Sequence, residues 1–182
     1  MERRGVTRRF TSQLVSGVLG VTLWFVGVEA VAGGVVARVL PSDDAIELEI
    51  PTDIGPQRET IPLYRSGKIR YFSAGIGQVE REAAYPPFSL KLVFTAGGKP
   101  FVTGVALSLR DAKGATVLTV PGEQISGPWF FIDLPEGTYE IAATLGGQQQ
   151  QVKGIKVKQG GTTTQHVRWA EDRSPPLAAT AE

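Results

Sequence analysis

The chain has no cysteine, no asparagine and a single histidine, His166, among its 182 residues. Each absence removes a class of chemistry. Without cysteine there is no disulfide framework, no thiolate nucleophile and no lipid attached through a leader cysteine. A domain of about 150 residues can still build a sufficient core without cross-links. Triad-type catalysis is left with one histidine among serines and acids, and no catalytic residue is assigned. A tight zinc site would have only carboxylates beside His166, so no metal ligand or cofactor site is assigned either.

An excess of one charge is also missing once the first 32 residues are set aside. Arg3, Arg4, Arg8 and Arg9 form a basic head, Leu14 to Val28 is an apolar run of about 15 residues, and Ala30-Val31-Ala32 is a small-x-small cleavage site. A membrane span needs roughly 20 apolar residues, so residues 1–32 are expected to be a signal peptide that leaves no stable membrane span after processing. The expected location is the periplasm or the exterior. Removing four Arg and two Glu from 19 basic and 18 acidic residues leaves 15 and 16, a net charge of −1. That balance gives no electrostatic case for nucleic acid as a partner.

What is present is turn chemistry and period-two alternation. Val105, Leu107 and Leu109 alternate with Ala106, Ser108 and Arg110, the pattern of a half-buried antiparallel strand. Strands are expected near Leu90–Thr95, Val102–Arg110, Thr116–Val120, Trp129–Leu134, Thr138–Leu145, Gln149–Lys158 and Thr163–Trp169. Gly146-Gly147 reads as a hairpin turn, and Gly154 inside a good strand reads as a bulge. Seven short strands punctuated by Gly and Pro predict an all-β, seven-stranded Greek-key sandwich over residues 88–170. Residues 33–87 read as a mixed N-terminal extension: Ala45–Ile50 as a strand, Arg65-Ser66-Gly67-Lys68 as a loose hairpin turn, and Gln78–Ala84 as at most two helical turns ended by Pro86-Pro87. Residues 171–182, rich in Pro, Ala and charge, are expected to be a disordered tail.

The run from Gly104 to Gly114, then Gly127-Pro128-Trp129-Phe130-Phe131, the turn Leu134-Pro135-Glu136-Gly137-Thr138-Tyr139 and a last Val-x-Trp strand resemble the carboxypeptidase regulatory-like domain. The Ser73–Glu82 segment followed by Ser89–Phe94 looks like small exported bacterial proteins of that kind. The resemblance spans Tyr71 to Trp169 and implies a prealbumin-like (transthyretin-like) sandwich. It does not imply an activity, because such folds host many tasks. The sandwich enzymes of this architecture use several histidines, or histidines with tyrosines on iron, and this chain lacks either set.

Three features of the sequence invite a reading as sites. Asp43, Asp44, Glu47 and Glu49 cluster as calcium would like, but Glu47 and Glu49 form the polar face of an alternating strand and no EF-hand spacing is present. Gly75-Ile76-Gly77 lacks the strand–loop–helix context of a phosphate loop. Trp129, Phe130 and Phe131 are consecutive, so Phe130 points away from its two neighbours. Either Trp129, Phe130, Tyr85 and Phe72 contribute an exposed partner or ligand surface, or the extension covers that face of the sheet. Cover is favoured, because a 55-residue extension must pack somewhere to be ordered. The expected function is a non-enzymatic envelope module engaging a protein partner through a sheet edge or an aromatic patch. The alternative is a carbohydrate-binding module, against which the lack of asparagine counts.

Overall fold

A computed structural model describes residues 34–97 and 101–170. The expected signal peptide and C-terminal tail lie outside the described residues. The described chain forms twelve strands: β1 (Val36–Val39), β2 (Ala45–Ile50), β3 (Gln57–Pro62), β4 (Tyr64–Ser66), β5 (Ile69–Ala74), β6 (Leu90–Ala96), β7 (Ala106–Asp111), β8 (Thr116–Val120), β9 (Trp129–Asp133), β10 (Gly137–Leu145), β11 (Gln148–Val157) and β12 (Thr163–Trp169). One short helix, α1 (Gly77–Glu82), interrupts them. The all-β class expected from alternation is what the backbone adopts.

The strands form three sheets. A central sheet runs β12-β6-β9-β5-β4, a second sheet runs β11-β10-β7-β8, and a third runs β1-β2-β3. Pairing is antiparallel except for β12 beside β6, which are parallel with Thr163 opposite Leu90 and Trp169 opposite Ala96. The main core lies between the central and second sheets, where alternate residues Leu90, Leu92 and Phe94 of β6, Phe130 and Ile132 of β9, Leu107 and Leu109 of β7, and Tyr139, Ile141 and Ala143 of β10 meet Val167 and Trp169. Trp169 is fully buried and its indole N–H donates to the Gln148 carbonyl at 2.9 Å, tying the last strand to the β10–β11 turn.

Glycine provides the geometry that L-residues resist. Gly146 and Gly147, with φ of 53° and 79°, make the two-residue turn that joins Leu145 to its partner Gln148. Gly154 (φ 71°) lies in the register shift by which Tyr139 faces Ile155 but Ile141 faces Val152, so the bulge expected there is present.

All seven strands predicted for the sandwich form, but the central sheet also takes in β4 and β5, which had been assigned to the extension. A boundary at residues 87 and 88 therefore cuts through a sheet, because Phe72 pairs with Phe131 and Arg70 with Asp133. The rest of the extension is a sheet in its own right. Its apolar residues Ile46, Leu48, Ile61 and Leu63 pack with Val35 and Ala37 on the outer aromatic face of the central sheet, enclosing Phe72, Phe88 and Phe131 in a second core. Phe72 and Phe131 stack at 4.6 Å with nearly parallel rings, and Phe88 meets Phe72 edge-on at 4.9 Å.

Candidate binding surface

Of the four residues offered as a partner surface, two cannot serve. Phe130 points into the main core and Phe72 into the second, and both are 0 % exposed. The reason is the packing that the covered alternative expects: sheets lie on both sides of β9 at Phe130, Phe131 and Ile132. Tyr85 is half-buried against Phe72 and Phe131 at 5.4 and 5.0 Å. Its hydroxyl is buried without a hydrogen-bond partner among the described residues. Burial first, and the Glu80 charge second, push its ionisation well above the ordinary tyrosine value.

Trp129 lies where the cover ends. Two rows of register cross the central sheet: Thr164–Lys91–Phe131–Phe72, and His166–Val93–Trp129–Ala74. Phe131 and Phe72 lie in the second core, whereas His166, Arg168 and Thr164 on β12 are exposed. Lys91 marks the transition. Its Nζ sits 3.4 Å from the centroid of the Trp129 ring and 5.2 Å from that of Phe131, a cation held over two aromatic faces. Partial burial lowers its ionisation below the ordinary value.

The surface continues from Trp129 toward α1. Gly75 packs so closely on Trp129 and Pro128 that a β-carbon there would lie 3.2 Å from both side chains. The Gly75 carbonyl accepts from Arg81 at 3.1 Å, and the Arg81 guanidinium lies 5.9 Å from the Phe101 ring centroid. Ile76 is 53 % exposed beside them. The acids of α1 are occupied: Glu80 accepts from the backbone N–H groups of Gly75 (2.6 Å) and Ile76 (2.9 Å), and Glu82 accepts from Gln78 (2.6 Å). Among the described residues no carboxylate lies within ion-pair distance of Lys91, Arg81 or Arg168. Lys91 over Trp129 and Arg81 beside Phe101 thus lie near the exposed Ile76 and the acids Glu80 and Glu82 of α1, while His166 and Arg168 are exposed on β12. Net charge does not reveal this arrangement, because it averages over the whole chain. The alternation of β6 and β12 is the only sequence signal that points to it.

The other candidates dissolve into structural roles. Asp43 pairs with Arg65 and, at 3.0 Å, with Arg70, which also holds Asp133 at 2.6 Å. Glu47 pairs with Arg38 and, at 3.9 Å, with Arg58. Asp43, Glu47 and Glu49 of the acidic cluster are thus ion-paired, and Asp44 accepts from the Ser42 hydroxyl. Ser89 and Asp133 share an open cleft of about 330 Å³ with Pro87, Leu134 and Gln159–Gly161. The Ser89 hydroxyl donates to the Leu134 carbonyl at 3.0 Å and accepts from its N–H at 2.7 Å, which is a backbone clip. The His166 ring makes no side-chain hydrogen bond with a serine or an acid among the described residues.

Sheet edges differ in their protection. The edge of β1 is occupied by Ala84, through Ala37 N–H to Ala84 O (3.1 Å) and Ala84 N–H to Val35 O (2.9 Å). β3 carries Arg58, Glu59 and Pro62, β4 carries Arg65, and β11 carries two lysines and the bulge, all of which discourage strand addition. β8 is Thr-Val-Leu-Thr-Val, with neither charge nor proline.

Comparison of the chain with protein-family models, with curated proteins and with solved structures finds no match, so the surface must be read from its own chemistry.

Proposed function

We propose that the protein is a non-enzymatic binding module of the bacterial envelope, exported by residues 1–32, that docks a protein partner on the cation–aromatic surface around Trp129. One observation supports the reading most directly: Lys91 lies over the Trp129 ring and Arg81 beside the Phe101 ring, with no carboxylate of the described residues in ion-pair reach of either cation. Aromatic residues and arginine are enriched where protein partners bind. The carbohydrate alternative is less well supported. The chain has no asparagine, one of the side chains that both donates to and accepts from sugar hydroxyls. The carboxypeptidase regulatory-like, prealbumin-like reading belongs with this proposal. Its support is the second and central sheets enclosing one core, and the Leu134–Tyr139 turn, in which the Tyr139 hydroxyl donates to the Pro135 carbonyl at 2.9 Å.

Photo-crosslinking in intact cells tests the docking face. A crosslinker at Ile76 should give a discrete protein adduct, and one at Lys113, in the β7–β8 turn, should not. Equal adduct patterns from both positions, or none from Ile76, would remove the reading. A second reading, strand addition at β8, is favoured by its uncharged sequence. It predicts a discrete adduct from a crosslinker at Thr119 and none from Ile76.

A further inference from the structure

Resting on the export reading, we infer that the fold itself guards the leader bond, so that Ala32–Gly33 is cut only while β1 is undocked and processing precedes closure of the second core. Hydrolysis adds water across the Ala32–Gly33 amide, leaving the Ala32 carboxylate on the leader and the Gly33 ammonium on the domain. A peptidase takes such a bond in an extended segment whose backbone groups are free to pair with its cleft. On the domain side, only Gly33 and Gly34 precede a stretch that has no free backbone to offer.

That stretch is Val35 and β1. Val35 is buried, and its carbonyl accepts from the Ala84 N–H at 2.9 Å. Val36 lies opposite Glu49 of β2, and the Ala37 N–H donates to the Ala84 carbonyl at 3.1 Å. β1 is therefore closed on one side by β2 and on the other by Ala84. Val35 and Ala37 also pack in the second core with Ile46, Leu48 and Phe72. Gly34 is no obstacle, being exposed with open space where a β-carbon would lie. The lock begins one residue later. Three residue steps from Ala32 to Val35 reach at most about 10–11 Å, so an enzyme seated on the bond meets the folded sheet. Cleavage of a buried, hydrogen-bonded segment follows the population in which that segment has opened. A chain that docks β1 before it is cut keeps its apolar run Leu14–Val28 attached. The order of the two events thus divides the protein between a released and a leader-bearing form.

The test follows cleavage of the purified 182-residue precursor by a bacterial leader peptidase in detergent micelles, with products identified by mass. Three samples are compared: the parent folded before peptidase is added, the parent diluted from urea directly into peptidase, and a folded variant with an eight-residue Gly-Ser linker between Gly33 and Gly34. Such a linker is flexible and carries the bond away from β1. Expected is cutting of the folded parent at least tenfold slower than of either other sample, always at Ala32–Gly33. Ala37→Asp places a charge in the second core, and it should speed cutting of the folded parent at least fivefold by releasing β1. If that variant does not fold, the linker variant decides the question, with a melting temperature equal to the parent's as its check. Cutting of the folded parent as fast as the linker variant overturns the inference and leaves the export reading standing. No cutting at Ala32–Gly33 in any sample, the one diluted from urea included, overturns the export reading and this inference with it.

Discussion

Tyrosine hydroxyls separate the residues whose role was legible from those whose role was not. The Leu-Pro-Glu-Gly-Thr-Tyr run predicts a corner tyrosine, because alternation puts Tyr139, Ile141 and Ala143 on the face without charge, and Tyr139 is buried with its hydroxyl on the Pro135 carbonyl. Tyr139→Phe should cost about 1 kcal/mol, the worth of one hydrogen bond. Tyr139→Ala should cost about 3–5 kcal/mol, as large aromatic truncations in cores do. Urea melts distinguish these values from a surface change below about 0.5 kcal/mol. Tyr85 is the opposite case. Nothing in Ala-Ala-Tyr-Pro-Pro foretells a buried hydroxyl without a partner among the described residues, because that depends on Phe72 and Phe131 from distant strands. Removing it should help: Tyr85→Phe is expected to stabilise by about 1 kcal/mol at neutral pH, since an unpaired buried hydroxyl costs about 1–3 kcal/mol. The same group sets the alkaline limit. Burial raises the ionisation of Tyr71, Tyr85 and Tyr139 above the ordinary value of 10.0. Above pH 10 the unfolded chain therefore releases protons that the folded chain retains, and stability is lost as pH rises. Tyr85→Phe should flatten that decline in a series of melts from pH 9 to pH 11. An unchanged slope would place the alkaline limit elsewhere.

Individual strands were legible in the sequence because period two, Gly pairs and Pro breaks are local properties. Which sheet each strand joins was not, since β5 differs from β2 only in what its outward residues meet. Phe72 and Ala74 look like an amphipathic strand's apolar face whether that face is bare or covered. Glycine illustrates the same division. Gly147 sits in a readable hairpin turn with open space around it, whereas Gly127 precedes β9 in a Ser-Gly-Pro sequence that suggests only a loop. A β-carbon at Gly127 would fall 2.2 Å from the Ala74 carbonyl oxygen, and the Gly127 N–H donates to the buried Ser73 hydroxyl at 2.8 Å. Gly127→Ala should thus force β5 away from β9 and cost about 3 kcal/mol, the upper range for inserting atoms into packed structure. Gly147→Ala adds no clash and should cost only the strain of a positive φ, about 1–2 kcal/mol. Thermal denaturation of the two variants ranks them, and the reverse order would contradict the close approach of β5 to the Gly127 backbone.

At the scale of the whole molecule, function depends on how far the third sheet extends over the central one. It buries Phe72, Phe88 and Phe131, packs in part against Trp129, and leaves Thr164, His166 and Arg168 of β12 exposed. Composition says that the extension has to pack somewhere; it does not say which half of the sheet stays open. That is why the aromatic residues proposed from sequence divide, with Phe72 and Phe130 going to cores and Trp129 remaining at the margin under Lys91. The measurement that tests this layering most directly is native-state amide hydrogen exchange, resolved by strand. If β1–β3 close a second core on the central sheet, the amides of β2 should open only with global unfolding, with the same free energy as those of β9. The exposed rim of β12 should exchange sooner. Exchange of β2 at loop-like rates while β9 stays protected would contradict the account, because the aromatic face beneath it would then be open and the binding surface would be a different one.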